Sequence, residues 1–185
     1  MKKKNALWIT TTAALIALLI GVQAATASLS QFVTGSLVNL ILIIAVMTCG
    51  SSSGLTVALI SPALAKLLGI GPLWMLIPFI MLGNIVLVLI WHTLGRRKYA
   101  NTYVIRIITL AIAAICKAAT LYLGIVRLAM PLFLSLPEKQ AALISSMFSI
   151  PQLITASIGG ALAIAVLPVV EKVIINPQNN ARQDS

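Results

Sequence analysis

Along the chain, apolar residues come in long runs separated by short polar punctuation, the pattern of helices that cross a membrane. The runs predict a helix over residues 6–23, a Ser- and Thr-rich loop over 24–31 and a second helix over 32–48. Gly50-Ser51-Ser52-Ser53-Gly54 reads as a flexible turn. A third helix over 55–68 is short for a full crossing, and Gly69-Ile70-Gly71-Pro72 breaks it. The fourth covers 74–94 and closes at the basic loop Arg96-Arg97-Lys98. The fifth begins near Thr102 and continues to Met130, where Pro131 stops it, and a loop over 135–139 follows. The sixth, over 140–170, exceeds one crossing and predicts tilt or a bend at Pro151.

The expected fold is therefore an all-α membrane protein. Six transmembrane helices form one bundle over residues 1–175, and a polar, disordered cytoplasmic tail occupies 176–185. The N-terminal segment fits two readings. Lys2, Lys3 and Lys4, then an apolar run, then Ala25-Thr26-Ala27 suit a secretory signal peptide with its cleavage site as well as a first transmembrane helix. Its removal would leave five helices in unchanged orientation.

Composition agrees with the pattern. The 185 residues are 60% hydrophobic and 9% charged, against about 25% charged in an average soluble domain. That leaves too little polar material for a water-facing surface or an appended soluble domain. The net charge of +10 suggests nucleic acid, but its placement argues against that. Lys2, Lys3, Lys4, Arg96, Arg97, Lys98, Arg106, Lys172 and Arg182 all fall on one side of the predicted bundle, whereas Lys139 falls on the other. Positive charge stays inside, so both termini are expected to be cytoplasmic, in a cell membrane, with the basic clusters against lipid headgroups. Cys49 and Cys116 sit apart at membrane depth and read as small packing residues.

The missing chemistry narrows the function. The only acidic residues are Glu138, Glu171 and Asp184, all in loops, at a helix end or in the tail. Ion-coupled carriers usually need intramembrane ionisable groups to take the ion, and metalloenzymes need acidic or histidine ligands. The single histidine, His92, lies near a helix end and reads as an interfacial residue. No phosphate-binding glycine loop is present. A carrier of this composition is not an enzyme, holds no metal or cofactor, and must borrow ATP energy from partners or work passively.

Lys117 is the most informative residue. It stands in Ala113-Ala114-Ile115-Cys116-Lys117-Ala118-Ala119, near mid-bilayer, where a charge costs several kcal/mol unless it faces a cavity or the bundle interior. An α-helical register groups it with Thr120, Gly124 and Arg127 on one broad face, with Arg127 roughly 15 Å nearer the outer mouth. A basic, acid-free funnel suits an anionic solute. The competing reading has Lys117 bonded to backbone carbonyls and Arg127 reaching headgroups. Asn84 and Gln152 are expected at similar depth, roughly 15 and 21 Å from the outside, either at a solute or as hydrogen bonds between helices. Trp74 is an interfacial anchor or a lid over the pocket, and Lys66 is ambiguous in the same way. Ala13 and Ala17 form a small-x-x-x-small pair on the first helix, as Gly159-Gly160 and Ala163 do on the last.

These features resemble the substrate-binding S components of energy-coupling factor (ECF) transporters. The resemblance rests on six short helices, the Ala13/Ala17 pair and two stretches. One runs from Ser61-Pro62-Ala63-Leu64-Ala65 through Gly69-Ile70-Gly71-Pro72 to Met81-Leu82-Gly83-Asn84. The other is Met147-Phe148-Ser149-Ile150-Pro151-Gln152-Leu153-Ile154-Thr155. It implies a vitamin-binding subunit that docks through its first helix, by Ala13 and Ala17, onto a transmembrane coupling subunit driven by two ATPase subunits. It also implies an outward-opening solute site, for which Lys117, Asn84, Gln152, Arg127 and Trp74 are the candidates here. Among vitamins an anionic one is favoured and pantothenate fits best, with cobalamin or a pyridoxine-like compound as alternatives. A membrane scaffold or assembly protein without a small-molecule site is the reading from a different class.

Overall fold

Lipid offers no partner for backbone polar groups, so long apolar segments must satisfy those groups within helices. The computed structural model describes the backbone of residues 2–96, 102–134 and 136–183, and the side chains of 8–96, 102–134 and 136–172. Throughout these residues the chain is helical or turning, with no strand. The side chains of Lys2, Lys3, Lys4, Arg97, Lys98 and Arg182 lie outside the described residues, and the tail expected to be disordered over 176–185 has a helical backbone as far as Gln183.

The helices are α1 (Lys2–Thr26), α2 (Gln31–Cys49), α3 (Ser51–Leu67), α4 (Ile77–Ile90), α5 (Thr102–Leu121), α6 (Met130–Phe133), α7 (Glu138–Met147) and α8 (Ile150–Gln183). A single 3-10 turn, Trp74–Leu76, leads into α4, and a π-helical turn, Trp91–Gly95, ends it. A second π segment, Tyr122–Ala129, joins α5 to α6. Five stretches are long and apolar enough to cross a membrane: Trp8–Thr26, Gln31–Cys49, Trp74–Gly95, Thr102–Phe133 and Glu138–Lys172. The remaining helix, α3, has 17 residues, about 25 Å of rise against a hydrocarbon core of about 30 Å. It packs among α1, α2 and α4.

Several boundaries differ from the sequence reading, each for a local reason. Gly50 alone turns the chain between α2 and α3, with φ of 92°, a left-handed conformation that glycine adopts without penalty. Gly54 is inside α3, where a Cβ would lie 2.8 Å from Val46 and 3.0 Å from Val88. It is a packing glycine. Pro131 does not stop its helix, which runs on through the π segment Tyr122–Ala129 into α6 and ends at Phe133. The expected sixth helix is two helices. The chain breaks at Phe148 and Ser149, and Pro151 stands in the first turn of α8.

The core divides in two. One apolar cluster centres on Leu42, Ile43, Val46, Val57, Leu87 and Trp91. The other joins Leu76, Leu121, Ile125, Ala129, Ile144 and Phe148. Between them on α4 stands Asn84, and between them on α5 stands Lys117. The outward surface is apolar as well: Ile107, Ile115 and Leu123 are each more than half exposed, an arrangement that water would disfavour and lipid accepts. Helical hydroxyls on this framework bond back to carbonyls one turn earlier, as Thr12, Thr48 and Thr120 do.

Candidate functional site

Lys117 is 4% exposed and points into the bundle. Its Nζ donates to Asn39 Oδ1 at 2.5 Å and to Asn84 Oδ1 at 2.7 Å. Three helices therefore converge on one ammonium: α5 carries it, and α2 and α4 supply the oxygens. Asn39 and Asn84 are 1% and 2% exposed. No carboxylate of the described residues joins them. Among the described residues the acids are Glu138, at the start of α7, and Glu171, which accepts from Arg106 Nη2 at 2.6 Å in a separate pair between α5 and α8.

A hollow of ≈ 150 Å³ lies against Lys117 and Asn84. Gln23, Ile70, Gly71 and Pro72 bring the end of α1 and the α3–α4 loop to its rim, and Phe148 and Gln152 bring the α7–α8 junction. Gln31 Nε2 fastens the start of α2 to this same end by donating to the Met147 carbonyl at 2.9 Å. The hollow thus sits at the loop end of the bundle. The other end is marked by Gly50, whose added Cβ would lie 3.6 Å from Arg96 Nη1.

Two further observations point into the hollow. Ser61, 1% exposed, lines it with an Oγ that has no hydrogen-bond partner. Other buried helical hydroxyls are satisfied: Thr109 bonds back to Ile105, and Ser53 pairs with Thr12 at 2.8 Å. An orphaned buried hydroxyl asks for an explanation. The two asparagines give the second, since both Oδ1 atoms are taken by Lys117. An ammonium only donates, so each asparagine must turn its oxygen to Lys117 and leave its amino group for something else.

Of the residues chosen from sequence, the fold brings Lys117, Asn84 and Gln152 to one hollow. Gln152 stands in the first turn of α8, just after the break at Phe148 and Ser149. Its Nε2 donates to the Met147 carbonyl at 3.1 Å. Arg127 is not with them. It is exposed, with its guanidinium 5.7 Å from the Tyr122 ring centroid, in a surface groove with Met130 and Pro131. The π segment explains this. At about 100° per residue, Arg127 would sit about 80° from Lys117, but π turns of about 4.4 residues carry it to about 170°. Gly124, expected on the same face, packs instead on Phe79 of α4, where a Cβ would come within 2.8 Å. Trp74 is 52% exposed and does not line the hollow.

No family model, no curated protein and no solved structure matches this chain. Its site must be read from its own residues.

Asn39 was missed in the sequence, although it carries the signal that flagged Asn84: an amide deep in an apolar run. Ala13 and Ala17 are exposed on α1, whose buried positions Thr12 and Leu19 face the bundle. The Ala13/Ala17 face is available to lipid or to another helix.

Proposed function

We propose that this chain is the solute-binding membrane subunit of an energy-coupling factor importer. It sits in the cell membrane and captures a small organic anion from outside, with pantothenate the favoured B-group vitamin. The observation that carries this reading is the buried Lys117 ammonium, which meets two neutral amide oxygens, no carboxylate, and a hollow. A cation that deep is expensive unless something compensates it, and a bound anion does so.

In this reading the Ala13/Ala17 face of α1 docks on a transmembrane coupling subunit. Two ATPase subunits provide the energy, and the chain itself catalyses nothing and needs no cofactor. With six crossings and both ends cytoplasmic, as this reading takes them, the loop end lies outside. The hollow of ≈ 150 Å³ is below the roughly 300–1,000 Å³ usual for drug-sized ligands. That favours a compact vitamin over a corrinoid such as cobalamin, and a widening of the site when pantothenate enters. A pyridoxine-like compound carries no carboxylate and suits the cation less.

The test is a thermal-shift screen of the detergent-purified protein against B-group vitamins. Pantothenate at about a hundredfold over its Kd should add about 2.7 kcal/mol of stability, an effect absent in Lys117→Ala. A screen in which no vitamin raises the melting temperature removes the proposal. It would support a membrane scaffold, in which the two asparagines satisfy the lysine and nothing else is bound.

A further inference from the structure

The residues at 39 and 84 decide the charge of the hollow. Aspartate has nearly the size of asparagine and would reach Lys117 as well, but it would cancel the ammonium's charge. Asparagine holds the ammonium through Oδ1 and leaves its charge intact. Each amide also turns an N–H₂ group away from the lysine. With the third N–H of Lys117 and the orphaned Ser61 Oγ, the site carries one positive charge and a surplus of donors.

We infer that Asn39 and Asn84 are the charge-selectivity determinants of the hollow, and that its ligand is a compact monocarboxylate whose carboxylate meets Lys117 and Ser61. The inference rests on the solute-binding reading above and deepens it. A carboxylate is acceptor-only with about four lone-pair sites, which suits the remaining N–H of Lys117 and the Ser61 hydroxyl. One unit of negative charge is the amount that one uncompensated ammonium takes. A second would find no cation among the residues lining the hollow, where Lys117 is the one charged side chain; Arg127 faces outward over Tyr122 and Arg106 is engaged with Glu171. An unpaired charge in such surroundings is strongly disfavoured. Ile77, Ile80, Leu121 and Phe148 give the hollow an apolar wall, with the amides Gln23 and Gln152 also lining it, suited to a short carbon body.

A ligand lacking the carboxylate would leave the donors unmatched, and sites built on buried polar groups reject such analogues strongly. The test uses the full chain in detergent with three matched pairs: nicotinate and nicotinamide, biotin and its amide, pantothenate and its neutral alcohol. Binding is read by titration calorimetry and thermal shift. At least one acid should bind, with its neutral partner at least tenfold weaker. Asn39→Asp and Asn84→Asp should each lower affinity for that acid at least tenfold and erase or reverse the preference, and Ser61→Ala should weaken the acid severalfold. Equal binding of acid and neutral partner to the unaltered protein overturns the charge inference while solute binding stands. That comparison requires no variant to fold. Absence of binding by every compound overturns the solute-binding reading, and this inference with it.

Discussion

The Lys117 ammonium donates to the Asn39 amide oxygen at 2.5 Å, tying α5 to α2 across 78 positions of sequence. A second bond, to Asn84, ties it to α4. The cation is thus positioned by three helices and neutralised by none, which gives it both a structural and a functional consequence.

Replacing Lys117 by Met keeps the length of the side chain and removes the charge. The two asparagine oxygens lose their donor, and a buried polar group left without a partner costs about 1–3 kcal/mol. Thermal unfolding should drop by that amount, while affinity for a carboxylate ligand should fall more than tenfold by titration. An affinity that survives the substitution removes Lys117 from the site.

Arg127→Ala, by contrast, should leave carboxylate affinity within twofold. The π turns carry this arginine to the outer surface, so its loss empties no contact in the hollow. A large loss of affinity would place the guanidinium at the solute after all.

Two glycines should respond in opposite directions. At Gly159 a Cβ would lie 2.7 Å from Asn39 Cβ and closer still to the Ser36 carbonyl. Gly159→Val should therefore push α8 from α2, cost about 1–3 kcal/mol or more in stability and weaken ligand binding through Asn39. Gly21, in α1, has nothing within 4 Å of its added Cβ. Gly21→Ala should stabilise by about 1 kcal/mol through helix propensity. Melting temperatures of the two variants in the same detergent decide the matter.

The Arg106–Glu171 pair provides an independent test of packing. Its side chains are 8% and 30% exposed, so Glu171→Gln strands a mostly buried guanidinium whose Nε already lacks a partner. Breaking a fully buried pair costs about 3–5 kcal/mol, and partial exposure of Glu171 should reduce the loss to about 1–3 kcal/mol. Arg106→Met combined with Glu171→Leu should recover most of it. A double-variant cycle by thermal unfolding measures the coupling.

Ala13→Trp and Ala17→Trp should change neither the melting temperature nor ligand affinity, because both positions are exposed on α1. In the proposed assembly they should abolish co-purification with the coupling and ATPase subunits. Full recovery of the complex with both tryptophans present would reject this face as the docking surface.

Much of the architecture was legible in the sequence. The long apolar runs located α2, α4, α5 and α8, since such runs have few alternatives to helix in lipid. The errors share a physical origin. Gly54 was read as a turn because a glycine needed for close packing is written with the same letter as one needed for a left-handed turn. Arg127 was placed beside Lys117 because α-helical spacing was carried through a segment that winds as a π-helix. Gln152 opens α8 instead of lying midway along a longer helix, because a break at Phe148 interrupts what reads as one continuous run.

Composition and hydrophobic patterning alone determined the medium, the helical class and the isolation of one lysine deep in apolar surroundings. These follow from what each segment requires of its solvent, and a segment carries that requirement wherever it packs. Only the tertiary structure decided that Asn39, Asn84 and Ser61 meet at that lysine beside a hollow, and that Arg127 does not. Side-chain contacts depend on the rotation and register of helices remote in sequence, where one altered turn moves a residue to the opposite face.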